Sequence, residues 1–530
     1  MKRLSIGKTV PLGLLALLAA ACAAASRSSA PASPPPRSST PVPTETPIGN
    51  WQTSLPEEQG MDSGTLAGML EYILKGKLSV HSVLVLRHGK LVTEAYFYPY
   101  RAGTPHTIQS CTTSVMSALV GIAIAEQKIQ SVNLPLLSFF PDLSPAGIDD
   151  RKRAITLENV LTMTSGLDWS EDELNISDPR NPYLQMQQSP NWIQFVLDRP
   201  MADVPGESFD FNSGAVHLLS AVLDRTTGMG AQAFAESRLF EPLDFSAVEW
   251  TADNLGFPNG AAGLSMIPRD MAKFGQLFLD RGMWEGYRVI PAQWVDESTS
   301  EHVPPLLAGG DGYGYQWWIL PPLGAYAAIG RGGQYIIVVP DQDLVAVFTA
   351  EVGDDFTLIE QKLMKDILRA VRSDGSLPVD PGAYGWLEKT VHTAAQAPDP
   401  VPAPAQPALA GEVSGTVYDL DPNEMGWESL VFLFDDGAAE ARMILTRDGR
   451  TLDLPIGLDG VPRFTEVEPH RTLSLEGGWS RDNDFEMKYV VVGRTESLML
   501  RFVFRGKNLT LQGLSMIDVW PIELQGRARS

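Results

Sequence analysis

The chain has 530 residues, which is too long for a single hydrophobic core and predicts two or more domains. Hydrophobic residues make up 44% and charged residues 20%, a composition typical of folded globular protein. Acidic residues outnumber basic ones by 64 to 41 and no Lys/Arg-rich run occurs, so we expect no nucleic-acid partner. With only Cys22 and Cys111, the composition excludes a disulfide framework.

Residues 1–22 have the features of a targeting signal. Three basic residues within the first eight precede an apolar stretch that is too short to span a bilayer, and the stretch ends in Ala-Ala-Ala-Cys at Cys22. The pattern resembles a bacterial lipoprotein signal with Cys22 lipidated; an ordinary secretory signal is the alternative. The Ala/Ser/Pro-rich residues 23–50 predict an extended tether. We expect a protein secreted across the cytoplasmic membrane and anchored by lipid to the cell surface or the periplasmic face.

Beyond residue 50, apolar periodicity and turn residues predict helices separated by two groups of strands. Helices are predicted over 62–75, 111–128, 156–165, 215–227, 268–281, 291–297 and 355–371. Strands are predicted over 82–87, 91–97, 324–329, 335–339 and 344–349. Strands at both ends with helices between them predict an α+β domain, in which sequence-distant strands share one antiparallel sheet that is flanked by helices and carries a helical insertion.

A second composition begins near the end of that domain. Residues 392–412 are rich in Pro and Ala and predict a semi-rigid linker. Short apolar runs broken by Gly, Asp and Asn then continue through 413–526, which predicts a small all-β barrel or sandwich. The resulting domain prediction is a first folded domain over 51–391, a linker over 392–412 and a β-rich domain over 413–526.

Ser110 stands where a largely buried helix is expected to begin. A serine at this position lies beside unpaired backbone N–H groups and the positive end of the helix dipole, a setting suited to a helix cap or to a nucleophile. Cys111 follows directly, but it lies about 100° round the helix, which favours buried packing over a role as thiol nucleophile.

Several stretches occur in the order typical of a known family. They are Ser110 with S-A-L-V-G-I-A from Ser117, L-T-M-T-S-G-L-D-W from Leu161, P-G-E-S-F-D-F-N-S-G from Pro205, G-L-S-M-I-P-R-D-M-A-K-F-G from Gly263, and G-R-G-G-Q from Gly330. Over residues 51–372 the chain resembles the serine β-lactamase and penicillin-binding-protein superfamily, in particular the class C β-lactamase-like group. The resemblance implies Ser110 as nucleophile and hydrolysis of an ester, a β-lactam or a D-amino-acid peptide.

The family's chemistry needs a proton relay beside the serine. A lysine three residues after the serine takes the hydroxyl proton, and the tyrosine of a Tyr-x-Asn/Ser element completes the relay. This chain has Thr113 at the lysine position and Phe211 at the tyrosine position of Phe211-Asn212-Ser213. Neither side chain can accept a proton near neutral pH. The resemblance therefore predicts an impaired or inactive enzyme that keeps a ligand-binding cleft, with Ser213 on its wall.

The third motif is Arg331-Gly332-Gly333-Gln334, where relatives carry His or Lys before the glycines. The resemblance implies that this segment supplies an oxyanion donor and binds substrate. Arg331 stays cationic at every relevant pH and is suited to hold a carboxylate, such as that of a small molecule or a cell-wall peptide. We expect no cofactor and no metal, because no zinc-binding motif occurs.

An active hydrolase in which another residue replaces the missing base is the alternative function. Lys128 lies fifteen residues beyond Thr113, about 22 Å along the helix at 1.5 Å per residue, and cannot reach Ser110. His106 and His217 are the nearest histidines in sequence, and each is better interpreted as a structural residue. A third hypothesis is a surface scaffold whose function resides in the C-terminal β domain.

Overall fold

The computed structural model describes residues 51–529 apart from 176–177, 247, 306–309, 354–356, 424, 469–470, 495–496 and 516–520. The predicted signal and tether, with Cys22, lie outside the described residues. Among the helices of the described part, none is both long and apolar enough to cross a bilayer.

The first domain is built on a seven-stranded antiparallel sheet with the order β2-β1-β12-β11-β10-β9-β8. Its strands are β1 Val80–Arg87, β2 Lys90–Tyr96, β8 Gly312–Tyr313, β9 Trp318–Leu320, β10 Ala325–Gly330, β11 Gln334–Val339 and β12 Leu344–Ala350. The first strand pairs with the last, from Ser82 opposite Thr349 to Arg87 opposite Leu344. The predicted sheet of sequence-distant strands is confirmed.

Both faces of this sheet are covered, which explains why strand β1 reads as a continuous apolar run. Leu84 and Leu86 face a core shared with the helical insertion, whereas Val83 and Val85 face a second core formed with the terminal helices. The helices of the domain are α1 Ser63–Gly76, α2 Cys111–Ala125, α3 Asp150–Ala154, α4 Leu157–Leu161, α5 Pro182–Gln188, α6 Trp192–Asp198, α7 Ser213–Thr227, α8 Ala231–Ala235, α9 Pro268–Leu279, α10 Ala292–Ser298, α11 Met364–Ala370 and α12 Pro381–Ala395.

Two small sheets complete the domain. Strands β3 His106–Thr107, β4 Val248–Trp250 and β5 Leu264–Met266 form one with the order β3-β5-β4, and β6 Met283–Trp284 and β7 Tyr287–Arg288 form a hairpin. The three-stranded sheet carries the chain into α2, since β3 ends at Thr107 and α2 begins at Cys111.

Helix α12 was not predicted from the sequence. It begins after Asp380, whose side chain accepts hydrogen bonds from the amides of Gly382 and Ala383, and proline fills its first position. Helix α12 packs beside α1, where a Cβ at Gly68 would be in ordinary van der Waals contact with the Trp386 ring, at 3.6 Å. A further short helix, α13 Ala408–Val413, lies in the Pro/Ala-rich stretch.

The C-terminal domain is a β-barrel. Its strands are β13 Val417–Leu420, β14 Trp427–Leu433, β15 Glu440–Arg447, β16 Arg450–Gly457, β17 Arg463–Glu468, β18 Arg471–Arg481, β19 Asp484–Val491, β20 Ser497–Arg505, β21 Asn508–Ser515 and β22 Pro521–Ala528. A parallel contact of Gly457 with Glu476 joins β16 to β18 and closes a ring of nine strands, with β17 beside β18. Aromatic side chains such as Phe432, Phe485 and Phe502 fill its interior. Of the two predicted forms, the structure has the barrel.

Candidate active site

Ser110 lies at the N-terminal end of α2, as predicted. Its backbone has φ −67° and ψ −5°, and its side chain makes no capping hydrogen bond to the helix. The preceding residue, Gln109, has φ +49°, a left-handed conformation that is uncommon outside glycine. This sharp turn between β3 and α2 leaves the half-buried Ser110 hydroxyl outside the helix's own hydrogen bonding. Ser110 therefore occupies the N-cap position of α2 without capping the helix through its side chain.

Thr113, at the lysine position, is buried in the first turn of α2. Beside it lies the phenol of Tyr313, which donates to Oε1 of Gln316 at 3.4 Å. Burial raises the pKa of Tyr313 well above its usual range, and the neighbouring Thr113 hydroxyl acts against that only in part. Tyr313 is thus a neutral phenol at physiological pH and does not replace the lysine as a base.

Phe211, at the tyrosine position, packs into a group of rings that we call the aromatic cluster: Phe209, Phe211, Tyr313 and Trp318. Phe211 stacks on Trp318 with centroids 6.4 Å apart and planes 10° from parallel. Phe209 meets Tyr313 at 5.1 Å and Trp318 at 5.9 Å, both edge to face. The cluster thus contains one relay position, Phe211, and contacts the other, Thr113, through Tyr313.

Ser213 is held by a carboxyl group that sequence reasoning missed. Its hydroxyl donates to Oε1 of Glu171 at 2.6 Å and its amide donates to Oε2 at 3.1 Å, while the Trp169 indole also donates to Oε2. Burial raises the pKa of Glu171 to about 8, against the hydrogen bonds from Ser213 and Trp169. Glu171 lies two residues beyond the family-like stretch Leu161–Trp169, yet an acidic residue in a polar loop usually indicates a solvated turn.

The third motif forms the turn between β10 and β11, where Gly330 pairs with Gln334. Gly332 has φ +81° and Gly333 φ +98°. A Cβ on Gly333 would lie 2.9 Å from both Ala350 and Val352, so glycine is required there. The Gln334 amide group donates to the carbonyls of Ala350 at 2.6 Å and Arg331 at 3.4 Å, which braces the turn.

The turn packs directly against the segment that carries Ser110. The Cys111 thiol donates to the backbone carbonyl of Gln334 at 3.3 Å, and a Cβ on Gly330 would lie 2.3 Å from the Ile108 carbonyl. The structure therefore brings Ser110 and the third motif together, as the resemblance implied. Cys111 is buried and burial raises the pKa of its thiol, so the residue packs in the core and is not a thiolate.

Neither histidine considered as a replacement base is set up for that role. His217 is buried on α7, where Nε2 bonds Oδ2 of Asp253 at 3.1 Å and Nδ1 accepts from the Gly260 amide at 3.4 Å. His106 is buried on β3 and stacks on His81 at 5.1 Å. Burial, helped by the charge of Arg494, lowers the pKa of His106 to about 3.

The described side chains show no metal centre. Among the residues that the structure describes, no three His, Cys, Asp or Glu side chains are grouped so that they could hold an ion.

Comparison with known proteins agrees with this architecture. The family model described as Beta-lactamase matches residues 57–358. A 6-aminohexanoate-dimer hydrolase of Paenarthrobacter ureafaciens is 25% identical over 314 residues, covering 54% of this chain and 78% of that protein. Esterase EstB of Burkholderia gladioli is 24% identical over 209 residues, covering 36% of this chain and 52% of that protein.

Among solved structures, the octameric penicillin-binding protein homologue of Pyrococcus abyssi has a TM-score of 0.46 at 14% identity. The match covers 87% of this chain and 99% of that one.

Proposed function

Since this chain belongs to the Beta-lactamase family, we propose that it is a serine-hydrolase-fold protein whose hydrolytic step is impaired and whose cleft binds a small ligand. The proposal rests on one observation, namely which side chains occupy the two relay positions and what they contact. Thr113 lies beside the neutral phenol of Tyr313, and Phe211 is stacked on Trp318. The side chains at both positions contact aromatic rings, and neither can transfer a proton.

The expected loss of rate follows from the missing base. Removing a general base from a hydrolase costs about 10²–10⁴ in rate. A residual enhancement of about 10³–10⁴ over water can persist from the oxyanion donors and binding. The Ser110 turn and the third motif are both present, so slow turnover of an activated ester is compatible with the proposal, whereas efficient amide hydrolysis is not.

Labelling with a fluorophosphonate tests this proposal, using Ser110→Ala as the control for attachment at the serine. We expect the wild-type protein to label slowly. The double variant Thr113→Lys with Phe211→Tyr, which restores both relay groups, should label about 10² times faster if the rest of the site is intact. Rapid labelling of the wild-type protein that disappears in Ser110→Ala would show that a base other than these two is at work.

The second candidate function is an active hydrolase with a rearranged base, and Glu171 is the observation that favours it. Its carboxyl group has a pKa of about 8 and bonds Ser213, which follows Phe211 by two residues. A carboxyl group with such a pKa is in the range that suits general acid–base catalysis. Loss of labelling in Glu171→Gln, from a wild type that labels rapidly, would support this candidate.

For the ligand, we propose a small molecule or cell-wall peptide that ends in a carboxylate. The aromatic cluster offers an apolar wall, and Arg331, on the turn between β10 and β11, carries a permanent positive charge that suits a carboxylate. Isothermal titration calorimetry with N-acetyl-D-alanyl-D-alanine measures this binding. We expect Arg331→Gln to weaken binding at least about tenfold, and Arg505→Gln on the exposed barrel surface to have no effect. Equal affinity in the two variants would contradict the carboxylate assignment.

A membrane tether is part of the proposal and is supported by the sequence alone. The signal-like segment ends at Cys22, and residues 23–50 have the composition of a spacer. A Cys22→Ser variant that remained in the membrane fraction as firmly as the wild type would contradict lipid anchoring at this residue.

A further inference from the structure

The C-terminal barrel reaches the segment that carries Ser110. Two residues after β19, the Gly493 carbonyl accepts a hydrogen bond from the Thr107 amide of the first domain at 2.9 Å. Gly493 has φ +81°, and a Cβ there would lie 2.0 Å from the Pro105 carbonyl, so only glycine fits. Thr107 precedes Ser110 by three residues.

Arg494 extends this contact across the three-stranded sheet. Its Nη1 donates to Oγ1 of Thr107 at 2.9 Å and to Oγ of Ser265 at 3.2 Å, and its Nη2 donates to Oε2 of Glu249 at 3.0 Å. The three acceptors lie on β3, β5 and β4, so one guanidinium group connects every strand of the sheet. The next amide, that of Ile108, bonds the Leu264 carbonyl at 2.9 Å in the same sheet.

Ser497 makes the second contact, with the other wall of the site. Its amide donates to Oε1 of Glu351 at 2.8 Å and its hydroxyl donates to Oε2 at 2.5 Å. Glu351 follows β12 directly, and the next amide, that of Val352, donates to the Gly332 carbonyl at 2.9 Å. Ser497 of the barrel therefore binds the residue directly before Val352, whose amide supports the third motif.

These contacts between the domains lie on two segments of the candidate active site. Gly493 and Arg494, which follow β19, bind the Ser110 segment. Ser497, the first residue of β20, binds beside the Gly332 turn. These are the two segments that must keep a fixed separation for an oxyanion site between a serine amide and a strand amide. A shift of either attachment would change that separation.

We propose that Gly493, Arg494 and Ser497 of the barrel are positioning residues that hold the Ser110 segment and the third motif in register. The barrel is then a structural part of the candidate active site. This inference concerns the geometry of the site and stands whether or not Ser110 retains reactivity, so its test does not use activity.

Hydrogen exchange of the full chain tests the inference through amides that the barrel does not itself bond. In Arg494→Ala we expect the amides of Ile108 and Cys111 to exchange about tenfold faster. In Ser497→Ala we expect the same for Gly333 and Val352. Arg494→Lys, which can keep one ionic contact with Glu249 but cannot span three strands, should give an intermediate result. Arg505→Ala, an exposed residue on β20, is the matched control.

Barrel amides such as those of Phe432 and Phe502 report whether the variants remain folded, and they should exchange at the wild-type rate. Unchanged exchange at the site amides in both alanine variants would overturn the inference. Uniformly faster exchange over the whole chain in both variants would also overturn it, because the residues would then support global stability and not the site. If Arg494→Ala does not fold, Ser497→Ala decides alone.

Discussion

The proposed impairment rests on two residues, Thr113 and Phe211, which stand at the relay positions of the family. Thr113 occupies the position of the lysine that takes the serine proton in the family, and it lies beside the phenol of Tyr313, which burial keeps neutral. Phe211 lacks the phenolic oxygen of the relay and buries its ring against Trp318. Because an unpaired lysine at the buried position 113 would cost free energy, restoration of the lysine alone is less favourable than restoration of both groups.

Glu171 gives a pH dependence that a variant can isolate. Its pKa of about 8 in the folded protein is above the usual value near 4.5, so the protonated carboxyl group stabilises the fold below pH 4.5 and this contribution is lost as pH rises through 8. We expect the free energy of unfolding to fall between pH 5 and 8.5 less steeply in Glu171→Gln than in the wild type.

Urea denaturation at several pH values measures this difference. Parallel curves for the two proteins would mean that Glu171 is ionised throughout, held in that form by its bonds from Ser213 and Trp169. The comparison depends on the difference between the proteins, so other titrating groups cancel.

Helix α9 lies against the central sheet through a glycine. A Cβ at Gly275 would lie 2.7 Å from Cγ1 of Val345 and 2.9 Å from Cγ2 of Ile336, on strands β12 and β11. We expect Gly275→Ala to lower the free energy of unfolding by about 1–3 kcal/mol, since a methyl group would force the helix away from the sheet.

Gly385 provides the matched control for this prediction. It is exposed in the middle of α12, and a Cβ added there would have no neighbouring atom within 4 Å. Alanine there should stabilise the protein by about 0.5–1 kcal/mol through helix propensity alone. Thermal unfolding of both variants checks the opposite signs, and stabilisation by Gly275→Ala would mean that α9 can move freely.

At the scale of the whole molecule, buried histidines lie where the two domains meet. His106 and His81 stack beside Tyr100, with positive charges from Arg494 and Lys488 of the barrel nearby. The pKa of His106 is lowered to about 3, so the unfolded chain binds a proton near pH 6.5 that the folded chain does not. Stability is therefore full above pH 6.5 and declines as pH falls toward 3.

We expect His106→Phe, which keeps the ring packing, to reduce this acid sensitivity. The slope of unfolding free energy against pH should decrease by at most about 1.4 kcal/mol per pH unit, the value for one proton. Urea midpoints at pH 7 and pH 5 measure it. An unchanged difference between these midpoints would indicate that His106 is protonated in the folded protein.

Local sequence patterns predict many of the helices, strands and turns around the site, but they do not predict contacts between distant segments. The start of α2 after Ser110 and the turn at Gly332 and Gly333 were predictable because helix periodicity and glycine pairs are local signals. Glu171 was missed because its importance comes from Ser213, 42 residues away. Arg494 was missed because a single arginine in a β-rich domain carries no sign that its acceptors lie on three strands of another domain.

The sheet order has a consequence for the way the chain acquires its fold. Strand β1 is apolar on both faces, yet during synthesis its only available strand partner is β2, because β12 emerges after the entire helical insertion. An isolated two-stranded hairpin is marginally stable in water. The β1–β2 hairpin therefore stays exposed until β12 has been synthesised. We predict slow folding and a need for chaperone protection of this segment.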